Sequence, residues 1–169
     1  EDVLIARVRS LAPKKEIEER YDQINAFERE LVADGTTILK CMLHISADEQ
    51  KARLLARLDD PTKHWKFNPG DIDERGEWPA YREAYEIALE RTSSDVAPWY
   101  VVPSDRKWYR NLAIGHLLLE TLQGLDPQWP TLLVTGGSLG AQRLNTAFQS
   151  RVDALRASGI QVLHITGLG

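Results

Sequence analysis

From Lys14 to Asp34 apolar positions recur at spacings of three and four, so that Ile17, Tyr21, Ile24, Phe27 and Leu31 share one face, and Gly35 ends the run. That period predicts a helix with a glycine stop. Ahead of it, Val3 to Val8 is an apolar, β-branched run closed off before Pro13 and reads as a buried strand. Thr36 to Ile45 resumes a strand pattern, and Ser46 followed by Glu49 forms a capping box that launches a helix to about Leu58. Pro61, Pro69 and Gly70 break the periodicity, leaving residues 59–70 as an irregular segment able to move. Ile72, Trp78, Tyr81, Tyr85 and Leu89 then predict a helix from about Asp71 to Arg91, bent near Pro79. Trp99 to Val102 reads as a short strand, and Asp105 opens a helix carrying Leu112, Leu117, Leu118 and Leu122.

This alternation predicts an α/β fold with a mostly parallel sheet, helices on its faces and ligands at the carboxyl ends of the strands. A proline-flanked joint, Asp126-Pro127-Gln128-Trp129-Pro130, precedes a fresh β-α-β pattern: Thr131 to Thr135, Gly136 to about Ala157, and Gln161 to Thr166. The expected organisation is one domain over 1–126, a linker at 127–130 and a Rossmann-like unit over 131–169.

Composition narrows the class. With 43% hydrophobic and 27% charged residues in 169 positions, the chain matches a soluble globular protein. No apolar run nears the ~18 residues of a membrane span. Cys41, lacking a second cysteine, reads as a small buried hydrophobe in a strand, and the opening residues carry no leader pattern, so a reducing cytoplasm is expected. Residues 131–169 hold Arg143, Arg151 and Arg156 against Asp153, a net of +2, leaving −6 for residues 1–130 of the total of −4. An acidic balance argues against nucleic acid as a partner, while local Arg and Lys clusters can still steer an anion.

Such clusters exist. Arg53 and Arg57 lie four apart on the helix after Ser46, and Lys63 and Lys66 follow in the irregular segment. Arginine grips phosphate oxygens bidentately and lysine adds a movable point charge, so the set suits an extended phosphate chain; the same residues could equally pair with Glu49, Asp59 or Asp60 on a solvated face. Trp65, Trp78, Trp99 and Trp108 could stack on a base or serve packing. Asp105, Arg106, Lys107 and Arg110 follow the strand ending near Val102, where the carboxyl-end rule places a ligand, although Asp105 could simply cap a helix.

The runs YDQINAFERELVADGTTILKCMLHIS, LDDPTKHWKFNPGD and APWYVVPSDRKWYRN together resemble the polyphosphate kinase 2 family, in its single-domain branch, over residues 1–125. The resemblance implies a P-loop-kinase-like sheet with a helical lid over Arg53 to Trp78. It makes Arg57, Lys63, Lys66 and Arg75, with Arg53, the polyphosphate-holding residues, and Asp105, Arg106, Lys107 and Arg110 the nucleotide side. It also implies magnesium and, as partners, polyphosphate with ADP, AMP or GDP, and it leaves room for a homo-oligomer. The implied reaction moves a terminal phosphoryl and depends on positioning and charge neutralisation. The chain contains no G-x-x-x-x-G-K phosphate cradle, and the family's Walker A and B elements are expected upstream of Glu1, so residues 1–125 correspond to its C-terminal half. No catalytic residue or metal ligand is therefore assigned within the chain, which is expected to be inactive alone.

The run TLLVTGGSLGAQRLNTAF…LHITGLG resembles the start of the C-terminal half of MurG-type glycosyltransferases. That resemblance places Gly136, Gly137, Ser138, Leu139 and Gly140 beside a UDP-sugar, UDP-N-acetylglucosamine. A glycine-rich strand-to-helix turn suits a diphosphate, since helix N-terminal N–H groups face it; a purely structural turn has the same signature. Three readings follow: half of a polyphosphate–nucleotide phosphotransferase, part of a UDP-N-acetylglucosamine transferase of peptidoglycan synthesis, or a non-catalytic fusion or truncation product.

Overall fold

The computed structural model describes residues 3–125, 128–135 and 151–167. Its sheet has four strands in the order β2-β1-β4-β3, all parallel: β1 (Thr36–His44), β2 (Trp99–Pro103), β3 (Thr131–Thr135) and β4 (Gln161–Gly167). The α/β class expected from the alternation is what forms.

The first buried cluster lies among helices on one side of β1. Val3, Leu4 and Ala6 around the single turn α1 (Ile5–Val8), Ile17 and Tyr21 of α2 (Lys14–Ala33), and Ala84 and Ala88 of α5 (Trp78–Thr92) are its members. Residues 3–8 thus form no strand. Arg7 and Val8 donate their N–H groups to Leu4 O at 3.1 and 3.0 Å, and Arg9 to Ile5 O at 2.8 Å, so the backbone satisfies itself locally and needs no neighbouring strand. A short apolar run has no period that separates strand from helix. Arg7 and Arg91 both pair with Glu18 and both lie over the ring of fully buried Tyr21, at 5.9 and 5.2 Å, pinning α1 and α5 to α2.

Gly35 ends α2 with φ at +87°, a left-handed turn that a glycine adopts without strain, and delivers the chain into β1. The helix expected over 71–91 is two: α4 (Gly70–Gly76) and α5, separated at Glu77. Pro79 lacks the N–H that a continuous helix would bond to Arg75, but it fits the first turn of a new one. On α5 the small side chains of Ala84, Ala88 and Thr92, one helical turn apart, are buried and admit close packing.

β1 is central. Lys40 to His44 pair with Trp99 to Pro103 on one side, and Thr36 to Cys41 pair with Val162 to Gly167 on the other. Ile38, Leu39, Val102 and Val162 are buried. The start of β4 is tied to the joint before β3: Gln161 donates its backbone N–H to Pro130 O at 3.0 Å and its side-chain amide to Trp129 O at 2.8 Å and Thr131 Oγ1 at 2.9 Å. α7 (Val152–Ala157) precedes β4. Among the described residues no helix is long and apolar enough to cross a membrane.

Candidate functional site

In a parallel sheet every strand delivers its chain to the same edge, and here two strands deliver helices whose N-termini meet. β1 leads through Ser46 into α3 (Ala47–Asp59), and β2 leads through Ser104, Asp105 and Arg106 into α6 (Lys107–Gln123). Ser104 N–H donates to His44 O at 2.7 Å, and Ser104 Oγ donates to Val102 O at 2.8 Å. Ser46 Oγ accepts from Glu49 N–H at 3.1 Å, the expected half of the capping box. The other half is filled from elsewhere: Ser46 N–H donates to Asp105 Oδ1 at 2.7 Å, while the Glu49 side chain turns to Arg53.

Asp105 therefore laces the two loops together rather than capping α6, which is preceded by Arg106 and has no side-chain cap. The backbone bond from Ser46, then its side chain, holds the Asp105 carboxyl below the usual range, with smaller help from His44 and Arg53. Arg53 reaches the same place, donating through Nε to Glu49 Oε1 at 2.8 Å and through Nη2 to Ser104 O at 2.8 Å. Arg106 and Lys107 are exposed beside these uncapped amides. Arg110 turns away along α6, both its Nε and Nη2 donating to Asn111 Oδ1 at 3.1 and 2.8 Å.

The remaining cations line the segment after α3. Arg57 Nη1 contacts Asp71 Oδ2 at 3.1 Å and Lys66 O at 3.5 Å, so α3 is stapled to the start of α4. Arg75 Nη1 returns from α4 to the first turn of α3, donating to Ala47 O at 2.6 Å and Gln50 Oε1 at 3.0 Å. Between them Pro61–Lys66 forms a 3₁₀ turn whose cap is Asp60, Oδ1 accepting from Thr62 N–H at 3.0 Å and Thr62 Oγ1 at 2.7 Å. Lys63 Nζ sits 2.6 Å from Asp60 Oδ2. Its contact and those of Thr62 hold the Asp60 carboxyl down to about 2. Lys66 lies 4.8 Å over the ring of Trp65, which is 78% exposed.

Arg53, Arg57 and Arg75 thus surround α3, and Arg53 alone of the five phosphate candidates touches the loop bearing Asp105. Three of the five already carry carboxylates: Glu49 on Arg53, Asp71 on Arg57 and Asp60 on Lys63. The spacing of the first and last pairs was visible in sequence. The carbonyl acceptors at Ala47, Lys66 and Ser104 were not, because a backbone oxygen has no residue signature. Of the tryptophans, Trp99 packs, donating Nε1 to Thr92 Oγ1 at 2.8 Å, while Trp65 and Trp108 face solvent. Gly136, Gly137, Ser138, Leu139 and Gly140 lie outside the described residues.

Among the described residues no group of three or more His, Cys, Asp or Glu side chains could hold a metal ion. The cations gathered around α3 suit the binding and orienting of an anion.

The family described as Polyphosphate kinase 2 matches residues 1–130, and the Glycosyltransferase family 28 C-terminal domain matches residues 131–169. An AMP/ADP-polyphosphate phosphotransferase of Meiothermus ruber is 53% identical over 130 residues, covering 77% of this chain and 49% of that protein. An ADP-polyphosphate phosphotransferase of Rhodopseudomonas palustris is 45% identical over 111 residues, covering 66% and 38%. The crystal structure of Polyphosphate Kinase 2 from Arthrobacter aurescens TC1 superposes with a TM-score of 0.74 at 48% identity, over 88% of this chain and 51% of that one. The chain spans about half the length of the Meiothermus ruber protein and of the Arthrobacter aurescens structure.

Proposed function

Since the chain belongs, through residues 1–130, to the polyphosphate kinase 2 family, we propose that α3, the 3₁₀ turn and α4 grip polyphosphate in a phosphotransferase that moves a terminal phosphoryl between polyphosphate and AMP, ADP or GDP. The observation that carries this reading is the fixing of Arg53, Arg57 and Arg75 around α3, with Arg53 and Arg75 held at the end where the N-termini of α3 and α6 meet. The carboxylate partners of Arg53, Arg57 and Lys63 are placeholders. Exposed pairs of this kind contribute ~0–1 kcal/mol, whereas a phosphate chain brings several charge-assisted bonds at once. Polyphosphate therefore displaces Asp60 from Lys63 and shares Arg57 with Asp71, and Arg106 and Lys107 face the nucleotide end.

Binding is one part of the reaction. The sequence has no G-x-x-x-x-G-K run, whose backbone amides would hold the transferring phosphate, and the described residues build no metal cluster. Magnesium, which the family implies, would come with the phosphates, and the roles assigned to Arg53, Arg57, Lys63, Lys66 and Arg75 are binding and orientation only. The purified chain is expected to bind polyphosphate in a salt-sensitive way and to form negligible ATP from polyphosphate and ADP. Substituting Arg57, Lys63 and Lys66 together by alanine should weaken binding by about tenfold or more, the equivalent of ~1.4 kcal/mol. Equal binding by that variant in a fluorescence titration would remove these residues from the site, and measurable ATP formation by the unaltered chain would refute the assignment of inactivity.

The match of residues 131–169 to the glycosyltransferase family supports a second reading, in which Gly136–Gly140 take the diphosphate of UDP-N-acetylglucosamine. Saturable binding of that nucleotide sugar, without transfer, is its test. Failure to bind either ligand would leave a non-catalytic module.

A further inference from the structure

α4 buries no side chain, and Ile72, its large apolar residue, is 57% exposed. Polar contacts therefore set its place. Asp71 and Arg75, four positions apart and so on one face of the helix, reach α3: Arg57 holds Asp71, and Arg75 donates to Ala47 O and Gln50 Oε1. Glu74, about 100° round the helix from Arg75, turns another way. Arg9 Nη2 donates to Glu74 Oε1 at 2.5 Å across 65 positions of sequence, and the Tyr81 hydroxyl of α5 lies beside the same carboxylate. Tyr81 and then Arg9 hold the Glu74 carboxyl below its ordinary range, while burial and then Glu74 push the Tyr81 phenol up, so at neutral pH the first is an anion and the second a donor.

The two ends of this contact differ in kind. Arg9 directly follows α1 and gives its N–H to Ile5 O, and Tyr81 lies on α5. Val3, Leu4 and Ala6 around α1, and Ala84 and Ala88 of α5, are buried with Ile17 and Tyr21 in the helical core, so Arg9 and Tyr81 project from backbone that packing fixes. Glu74 projects from a helix that no apolar burial fixes, next to Arg75 in sequence. We propose that Arg9 and Glu74 are positioning residues for the polyphosphate grip: their ion pair moors α4 to the helical core and thereby holds Arg75 at the first turn of α3. The inference rests on the reading of α3 and α4 as that grip, and adds that its geometry is set from outside it.

Simple charge and mooring predict opposite results for one substitution. Glu74→Ala removes an acidic charge, which alone would tighten the binding of a polyanion; loss of the mooring should instead weaken polyphosphate binding by the full chain about twofold to fivefold, the range of a part-exposed ion pair. Arg9→Ala should weaken it likewise, the exchanged pair Arg9→Glu with Glu74→Arg should restore it, and neither single substitution should add to the loss caused by Arg75→Ala. Millisecond amide exchange over residues 70–76, measured without polyphosphate, should quicken in both single variants while exchange in α2 and over residues 84–92 stays unchanged, which separates a displaced helix from an unfolded chain. Tighter binding by Glu74→Ala, unchanged exchange in α4, or an undiminished effect of Arg9→Ala in the Arg75→Ala background would each overturn the proposal. An unaltered chain that bound no polyphosphate would bring down the grip and its mooring together, whereas binding indifferent to both residues would remove the mooring alone.

Discussion

Lys40 is 2% exposed in the middle of β1, and its ammonium is shared among three elements. Nζ lies 2.7 Å from Glu28 Oε2 on α2 and 2.6 Å from Thr92 O at the end of α5, and 5.1 Å over the ring of Trp99 on β2. Burial raises the Glu28 carboxyl above its ordinary value even with Lys40 beside it, so desolvation outweighs attraction at this pair. Two consequences follow from that balance. Removing one partner, by Glu28→Ala or Lys40→Ala, strands a buried polar group and should cost about 3–5 kcal/mol, whereas Glu28→Leu combined with Lys40→Met should be close to neutral or stabilising. Urea denaturation of the three variants decides it; single substitutions costing under ~1 kcal/mol would mean the ammonium is effectively hydrated. Asp60 is the opposite case, a half-buried surface carboxylate held down to about 2 by Lys63 and Thr62. Its folded value lies below its usual 3.8, so the contribution of the 3₁₀ cap is complete above 3.8 and disappears as pH falls through about 2. An NMR titration of the Asp60 carboxyl should show that midpoint, and one near 3.8 would show that the turn is not held as described. At this scale the cations were legible in the sequence, and so were the carboxylates three or four positions away. Arg75 on Ala47 O and Arg53 on Ser104 O were not, since chain folding alone brings a carbonyl to a side chain 28 or 51 residues distant.

α3 depends on its first turn because it buries no residue along its length. Ser46→Ala removes the acceptor for Glu49 N–H and should cost about 1 kcal/mol, seen as faster amide exchange over residues 48–51 with little change in the global transition. Asp105→Ala frees the Ser46 N–H instead and should loosen both loops, so that exchange rises at the start of α3 and of α6 together. If the two substitutions gave the same exchange pattern, the lacing role of Asp105 would be wrong. Elements with a local signature were read correctly: the Ser46 cap, the Gly35 stop, and the strands at Thr36 and Trp99. The strand expected at Val3 to Val8 became a helical turn because an unbroken apolar run suits either state, and its buried setting against α2 and α5 chose between them. Pro79 was read as a bend and acts as a start, which depends on whether Trp78 opens a new helix or continues the old one.

Across the whole molecule the pairing of β1 with β4 joins the two family-matched stretches in a single sheet. Nothing local in the sequence announces that partnership, because parallel strands are matched at a distance and by hydrogen bonds every residue type can make. A chain ending at Pro130 would lose β3 and β4 and leave Thr36 to Cys41 as an open edge beside exposed apolar side chains. It should lose amide protection along β1 and self-associate, and Val162→Asp, at a site 3% exposed, should lower the stability of both stretches in one transition. A monomeric truncated chain with β1 still protected, or two separate transitions, would show that the stretches fold independently. The pairing also sets an order in time. Thr36 meets Val162, 126 positions downstream, so at ~5–20 residues per second of synthesis the growing polypeptide carries its central strand half-married for roughly 6–25 s, and whatever shields nascent chains in the cell must attend to that seam until the last strand has emerged.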